Sequence, residues 1–196
     1  MMTKTVIIGT NHAGIAAANT LLDNYPDQEV VMIDRNSNLS YLGCGTALWV
    51  GRQVNDYHGL FYTKVEDFTN KGAKITLEAE VKDIDFDKKV VHYIKKDGTE
   101  LTEDYDKLIL ATGSLPISPN VAGKDLNGIH FLKLFQDGQD VDKEISAEEV
   151  KNVAVIGAGY IGVEIAEAAK RRGKNVLLFD AADRSLSTHM IKHSPI

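Results

Sequence analysis

Cysteine is nearly absent from this chain: Cys44 is the only one among 196 residues. A single thiol forms no internal disulfide, and one thiol with six scattered histidines gives no Cys-based zinc framework. Any chemistry at Cys44 is that of a solitary sulfur. Positive charge is also in deficit. Lys and Arg number 22 against 28 Asp and Glu, a formal charge of −6, which leaves no polyanion footprint and makes DNA and RNA poor partners. No apolar run reaches the roughly 18–20 residues of a membrane span, and the first residues lack the charged, apolar, small-residue order of a secretory signal. A soluble, cytoplasmic protein without a membrane partner is expected. With 43% apolar and 26% charged residues, the composition is that of a folded chain, enough for one large domain or two modest ones.

What is present is a repeated pattern. Residues 5–9 are a β-branched run ending in glycine, 13–22 are rich in Ala and Leu, and 29–34 are a second apolar run ending on Asp34. They read as strand, glycine turn, helix, strand. The same order returns at 152–157, 161–169 and 175–180, where the last strand ends on Asp180. Between the copies, alternation over about 74–110 predicts a β-meander, with strands at 75–77, 81–86 and 90–94, that returns to the sheet at 108–110. Residues 114–150 are expected to be a connector, since 114–128 hold two of the four prolines. Residues 181–196 are polar and weakly periodic, without the further strands of a doubly wound sheet.

The second glycine run is Gly157-Ala158-Gly159-Tyr160-Ile161-Gly162, with Asp180 standing 23 residues after Gly157. Gly157 permits the tight turn, Gly159 lets the backbone approach a pyrophosphate, Gly162 allows close helix-to-strand packing, and the helix N-terminus favours negative charge. Asp180 is placed to accept a ribose 2′-hydroxyl and to repel a 2′-phosphate. With Ala181 and Ala182 beside it, NAD(H) is favoured over NADP(H), Arg184 being the one cation nearby. The first run, Gly9-Thr10-Asn11-His12-Ala13-Gly14, carries Asn11 in place of the middle glycine, with Asp34 following Gly9 by 25 residues. Asn tolerates unusual backbone angles, and its amide can donate to a phosphate. Two such loops imply two dinucleotides, and enzymes with both usually hold FAD in the first and a nicotinamide cofactor in the second. The expected fold class is α/β, with two Rossmann-like dinucleotide-binding units and a β-meander, the second unit incomplete. Its parts are an FAD-binding domain over 1–113, the connector over 114–150, and the start of an NAD-binding domain over 151–196.

Cys44 lies in Ser40-Tyr41-Leu42-Gly43-Cys44-Gly45, ahead of the apolar stretch 47–50. That stretch is expected to begin a helix whose dipole favours negative charge near the sulfur. Inert packing is the alternative for an isolated cysteine. No cysteine follows five residues later, so a cycling sulfur passes through a one-cysteine state such as sulfenate. His12, in the first helical turn over the first loop, is its natural companion as proton donor or acceptor, against a solvent-facing or phosphate-contacting role. His58, His92 and His130 read as loop or strand positions. His189 and His193 have i, i+4 spacing but no third ligand nearby, so no metal site is expected. Tyr160 and Glu164, one helical turn apart, either face a nicotinamide or pack and solvate.

Four of these segments, 9–14, 40–45 with Leu48 and Trp49, Ala-Thr-Gly at 111–113, and Gly-Ala-Gly-Tyr-Ile-Gly-Val-Glu at 157–164, together resemble one family. It is the pyridine nucleotide disulfide oxidoreductases, in the branch of the water-forming NADH oxidases and NADH peroxidases, and the likeness runs from residue 5 to about 185. The resemblance implies FAD on Gly9, Asn11, His12, Gly14, Asp34, Cys44, the backbone at Val81, Ala111, Thr112, Gly113 and Lys133. It implies NADH on Gly157, Gly159, Tyr160, Ile161, Gly162, Glu164 and Asp180. Cys44 is similar to the family's redox-active sulfur and His12 to its acid/base. The implied activity is FAD-dependent NADH oxidation that reduces dioxygen to water through a sulfenic acid cycle at Cys44. NADH peroxidase, with peroxide as substrate, is the alternative enzyme; coenzyme A disulfide reduction is disfavoured by Tyr41-Leu42-Gly43. A non-catalytic nucleotide-binding fragment is the alternative of another class, because family members run more than twice this length. The resemblance implies homo-oligomers for full-length members.

Overall fold

The chain alternates strands and helices from its start. The computed structural model describes residues 2–187 and gives β1 (Thr3–Ile8), α1 (His12–Asn24), β2 (Gln28–Ile33), α2 (Thr46–Val50), α3 (Val65–Thr69), β3 (Lys74–Thr76), β4 (Ala79–Asp85) and β5 (Val90–Lys95). Then follow β6 (Glu100–Asp104), β7 (Lys107–Leu110), α4 (Phe135–Ser146), β8 (Asn152–Ile156), α5 (Tyr160–Arg171) and β9 (Asn175–Phe179). These fall into two units. One joins the chain up to Tyr41 with Phe61–Ser114, and the other joins Leu42–Leu60 with the chain from Leu115 onward.

In the first unit a four-stranded parallel sheet has the order β3-β2-β1-β7. Its central strands are continuous apolar runs because both faces are covered. Successive side chains point to opposite faces, and the burial follows that period. Ile7, Val30 and Met32 pack with Ile15 and Ala18 of α1 and with Phe68 of α3, whereas Val6, Ile8, Val31 and Ile33 pack with Val91, Tyr93 and Tyr105. The second of these layers is roofed by an antiparallel three-stranded meander, β4-β5-β6.

The meander corrects the sequence expectation in two places. Residues 74–76 are not its first strand but the edge of the parallel sheet, paired with β2 through Val31–Lys74, Met32–Ile75 and Ile33–Thr76. Its third strand is β6, a charged segment that periodicity alone did not single out. Glu100-Leu101-Thr102-Glu103-Asp104 alternates exposed and half-buried positions, and it is held by pairing with β5 and by an ion pair between Glu103 and Lys4, 2.7 Å apart.

The second unit repeats strand, helix, strand: β8 and β9 are parallel from Asn152–Asn175 to Ile156–Phe179, and α5 crosses between them. Ile156, Leu177 and Phe179 keep exposed apolar side chains. On α5, Ile165, Ala168 and Ala169 form a buried stripe at helical spacing. Part of the stripe faces α2, where a Cβ on Gly51 would lie 3.2 Å from Ala168. Arg172, at the end of α5, donates to the carbonyl of Val50 (2.9 Å) and pairs with Asp142 of α4 (2.9 Å). Trp49, Tyr57 and Phe135 complete the junction, with ring centroids 5.3–5.8 Å apart. α4 therefore lies inside the stretch read as connector. Its sequence is mostly polar, and only Phe135, Gly138 and Ile145 are buried, too sparse an apolar stripe to stand out beside the prolines upstream.

Among the described residues no helix is long and apolar enough to cross a membrane, and no group of three or more His, Cys, Asp or Glu is placed to hold a metal ion. His189 and His193 lie outside the described residues.

Phe68 is 1% exposed and fills the layer between α3 and the sheet. Phe68→Ala is predicted to destabilise the first unit by about 3–5 kcal/mol. Amide hydrogen exchange in β1 and β2 should then accelerate by roughly two to three orders of magnitude. Unchanged exchange would show that this layer does not hold the sheet together.

Candidate functional site

Both glycine loops are built in the same way. At Gly9, φ is +109°, a value that L side chains rarely adopt, and an added Cβ would strike the carbonyl oxygen of Ala111. Ala111 is fixed there by its own N–H, which donates to the carbonyl of Ile8 at 2.8 Å. A Cβ on Gly14 would strike the Gly9 carbonyl, so α1 leaves the loop at a distance only glycine permits. In the second unit Gly157 has φ +103°, and a Cβ on Gly162 would meet the Gly157 carbonyl. Around Gly159 there is nothing within 4 Å of an added Cβ, which leaves open space where a pyrophosphate would approach.

The middle position needs no glycine for its own backbone. Asn11 is the N-cap of α1 at φ −105°, ψ −160°, and Gly159 is the N-cap of α5 at φ −75°, ψ −173°, both extended. The tolerance of Asn for unusual angles is therefore not what admits it; any residue adopts this conformation. Neither cap makes a side-chain hydrogen bond to its helix, so the first-turn amides of α1 and α5 are left for an anion. These are the features a dinucleotide's phosphates require, and both loops fit one.

The acids at the strand ends complete each loop, in different ways. Asp34 is buried, and its Oδ2 accepts from the Thr10 N–H (2.6 Å) and Oγ1 (2.9 Å). Its Oδ1 accepts from the Asn36 N–H (2.8 Å) and Nδ2 (2.9 Å). A carboxylate offers about four acceptor positions, so Asp34 is saturated. Asp180 is exposed: Oδ2 accepts from the Ala158 N–H and Oδ1 from the Ala182 N–H at 2.7 Å, which leaves half of its capacity open. The Ala158 and Ala182 donors hold the Asp180 carboxyl below the usual carboxylate range. The tie is therefore complete above the ordinary carboxylate range and is lost only as pH falls through the depressed value.

Cys44 sits exposed in a tight turn, Gly43–Gly45, directly before α2. The helix expected after the thiol is present, but with five residues it sums few aligned peptide dipoles. The turn is held instead by hydrogen bonds: the Leu42 N–H to the Leu60 carbonyl (2.8 Å) and Thr46 Oγ1 to the Gly43 carbonyl (2.8 Å). A Cβ on Gly45 would collide with Leu60.

His12 is the first residue of α1 and is exposed. Its Nδ1 lies 3.1 Å from the hydroxyl of Tyr62, a partner fifty residues away that no local pattern marks. Ser40, fully buried, joins the two neighbourhoods: its N–H donates to the Thr10 carbonyl (3.1 Å) and its Oγ to the Thr63 carbonyl (2.8 Å).

The remaining candidates are scattered along these elements. Val81 is half-buried in β4 at a register shift between Val81 and Asp83. Thr112 and Gly113 continue exposed beyond β7, Gly113 with φ +63°. Lys133 belongs to the second unit, its N–H bonded to the Asp137 carboxylate (2.8 Å) before α4. Tyr160, Ile161 and Glu164 are exposed on the first turns of α5. His58 pairs with Asp56 (2.6 Å) and His130 with Glu144 (3.1 Å), and His92 is exposed on β5.

Comparison with known proteins gives the family of the chain. The family described as pyridine nucleotide-disulphide oxidoreductase matches residues 3–194. An NADH oxidase of Lactococcus lactis subsp. cremoris is 66% identical over 186 residues, which are 95% of this chain and 42% of that protein. A water-forming NADH oxidase from Lactobacillus brevis, solved bound to NADH, is similar at TM-score 0.88 and 37% identity over 94% of this chain and 41% of that one. An engineered water-forming NADPH oxidase, a mutant of that enzyme bound to NADPH, gives 0.89 at 36% over the same shares. The chain thus spans about two fifths of the length of these relatives.

The loop geometry predicts a contrast between two substitutions. Gly9→Ala meets both a left-handed backbone and the Ala111 carbonyl and should cost more than about 2 kcal/mol of stability in urea unfolding. Gly159→Ala meets neither and should cost about 1 kcal/mol or less, the difference between Gly and Ala as an N-cap. Equal effects would contradict the construction described.

Proposed function

Because this chain belongs to the pyridine nucleotide-disulphide oxidoreductase family, we propose that it carries the FAD and NADH sites of an NADH oxidase that reduces dioxygen to water, with Cys44 as the redox-active sulfur. The observation that carries the reading is the duplicated loop, Gly9 to Gly14 closed by Asp34 and Gly157 to Gly162 closed by Asp180. In one chain this gives two phosphate cradles, and hence two dinucleotides that exchange electrons.

FAD belongs on the first loop, its phosphates on the amides of Asn11 to Gly14 and its flanks on Ala111, Thr112 and Gly113, with Val81 as a further contact. Asp34 reaches a ribose only by releasing the Asn36 donors that now occupy Oδ1. NADH belongs on the second loop. The open half of the Asp180 carboxylate accepts the ribose hydroxyls, and its charge repels a 2′-phosphate. The engineered NADPH oxidase supports this assignment, since its five substitutions include an aspartate changed to alanine and the next residue, alanine, changed to arginine. Asp180-Ala181 is the one Asp-Ala pair in this chain. Tyr160 and Glu164 lie on the first turns of α5, beside the amides that receive the phosphates.

The chemistry that FAD supplies when bound is two-electron transfer from NADH to dioxygen, to the level of peroxide. Cys44 then acts on that peroxide. Its thiolate attacks the O–O bond, the sulfur becomes a sulfenic acid, and the departing oxygen takes a proton from His12 and leaves as the first water. A second NADH returns the sulfenic acid to thiolate with loss of the second water. In sum, two NADH, two protons and one dioxygen give two NAD+ and two waters. A lone cysteine meets this requirement, because the oxidised sulfur never needs a second thiol.

The test is stoichiometry. With FAD added, the chain should consume two NADH per dioxygen and release no peroxide, whereas Cys44→Ser should consume one NADH per dioxygen and release hydrogen peroxide. A two-to-one ratio retained by Cys44→Ser, or no NADH-dependent oxygen uptake by the FAD-loaded chain, would overturn the proposal.

A further inference from the structure

Tyr62 has no place in the readings above, yet it holds the one ring that they require to move a proton. His12 follows directly on the first glycine loop, and Tyr62 arrives from the segment between the Tyr41–Phe61 bridge and α3. The Tyr62 hydroxyl lies 3.1 Å from His12 Nδ1, and the two rings are stacked with planes 7° apart and centroids 5.5 Å apart. Both partners are anchored beside their contact. Ser40, buried and at φ +62°, a conformation uncommon outside glycine, bonds to Thr10 on the loop and to both backbone groups of Thr63. Thr63 Oγ1 in turn donates to Asp67 of α3 at 2.7 Å. The pair is thus clamped between the loop and α3, and it is not a chance contact of two exposed side chains.

An imidazole that serves as acid or base must present one nitrogen in one protonation state, and the bond made by the other nitrogen decides which. Partial burial pushes the Tyr62 phenol up, so the hydroxyl keeps its proton at neutral pH. A neutral ring nitrogen is a far stronger base than a phenol oxygen, so the hydroxyl donates and Nδ1 accepts. The ring proton is left on Nε2, which has no protein partner among the described residues.

We propose that Tyr62 is a positioning residue that fixes His12 as the tautomer protonated on Nε2 and so presents an N–H to whatever binds over the first loop; when that proton leaves, the Tyr62 hydroxyl passes its own to Nδ1, the ring stays neutral, and the phenol regains a proton from solvent. The use made of that proton rests on the reading of His12 as the donor in the Cys44 cycle. The tautomer itself does not.

The test reads the ring nitrogens directly. In the chain labelled with 15N-histidine, the His12 signals are assigned by their loss in His12→Gln, and their shifts are measured at alkaline pH. Nε2 is expected to be protonated and Nδ1 not. Tyr62→Phe keeps the stacked ring and removes the hydroxyl, and it should lower the tautomer ratio about fivefold, the equivalent of one net hydrogen bond. A ratio unchanged in Tyr62→Phe, or a proton found on Nδ1 in the unsubstituted chain, overturns the proposal; the second readout needs no variant. If Tyr62→Phe shifts the ratio as expected while His12→Gln leaves turnover unchanged, the Tyr62 pairing stands and the acid/base reading of His12 fails.

Discussion

A carboxylate at the end of the second strand, bonded to the backbone N–H that follows the first glycine, ties each glycine loop to its sheet. Asp34 does this to Thr10 and Asp180 to Ala158. Without such a tie the loop would be joined to its sheet only by the strands and helix that flank it, and the first-turn amides of α1 or α5 would point at a ligand from a mobile base. With it, the left-handed glycine, the extended cap and the helix N-terminus are held in one arrangement. The loop is then preorganised before any phosphate arrives.

The two ties differ in what remains for a ligand. Burying a carboxylate costs several kcal/mol. At Asp34 that cost is offset by four charge-assisted hydrogen bonds at about 1.5–3 kcal/mol each, and no acceptor position is left over. Asp180 remains in water and makes two such bonds within its loop, so desolvation costs it little and it keeps acceptors for a diol. The first tie leaves its carboxylate filled, and the second leaves acceptor positions open. The thiol turn is set by a different device: α2 is fixed by Arg172, by the Trp49–Tyr57–Phe135 cluster and by Gly51 against α5. In the second unit, therefore, the helix behind the second glycine loop also supports the segment that carries Cys44.

Much of this was legible in the sequence, because the decisive signals are local. Within each copy the glycine run, the apolar strands around it and the terminal acid lie within about thirty residues, and each implies its neighbour. The β1–α1–β2 and β8–α5–β9 elements accordingly fall where the pattern placed them. What escaped depends on contacts distant in sequence. β3 carries the same alternation as a meander strand, and only its pairing with β2 assigns it to the parallel sheet. β6 is a strand because β5 and Lys4 hold it, not because its residues favour one. α4 has a buried stripe of three residues. Tyr62 is one aromatic residue in a loop until the fold brings it to His12. The saturation of Asp34 by Asn36 was equally hidden, since a lone acid at a strand end reads the same whether its acceptors are open or filled.

The most direct measurement is of the dissociation constants of FAD and of NADH for Asp34→Asn and Asp180→Asn, each compared with the unsubstituted chain. If each carboxylate builds one dinucleotide site, Asp34→Asn weakens FAD by about tenfold or more, the equivalent of roughly 1.4 kcal/mol, and leaves NADH unchanged. Asp180→Asn does the reverse. Loss of both ligands to the same degree in either variant, or of neither in both, would contradict the account of two loops that each carry their own cofactor.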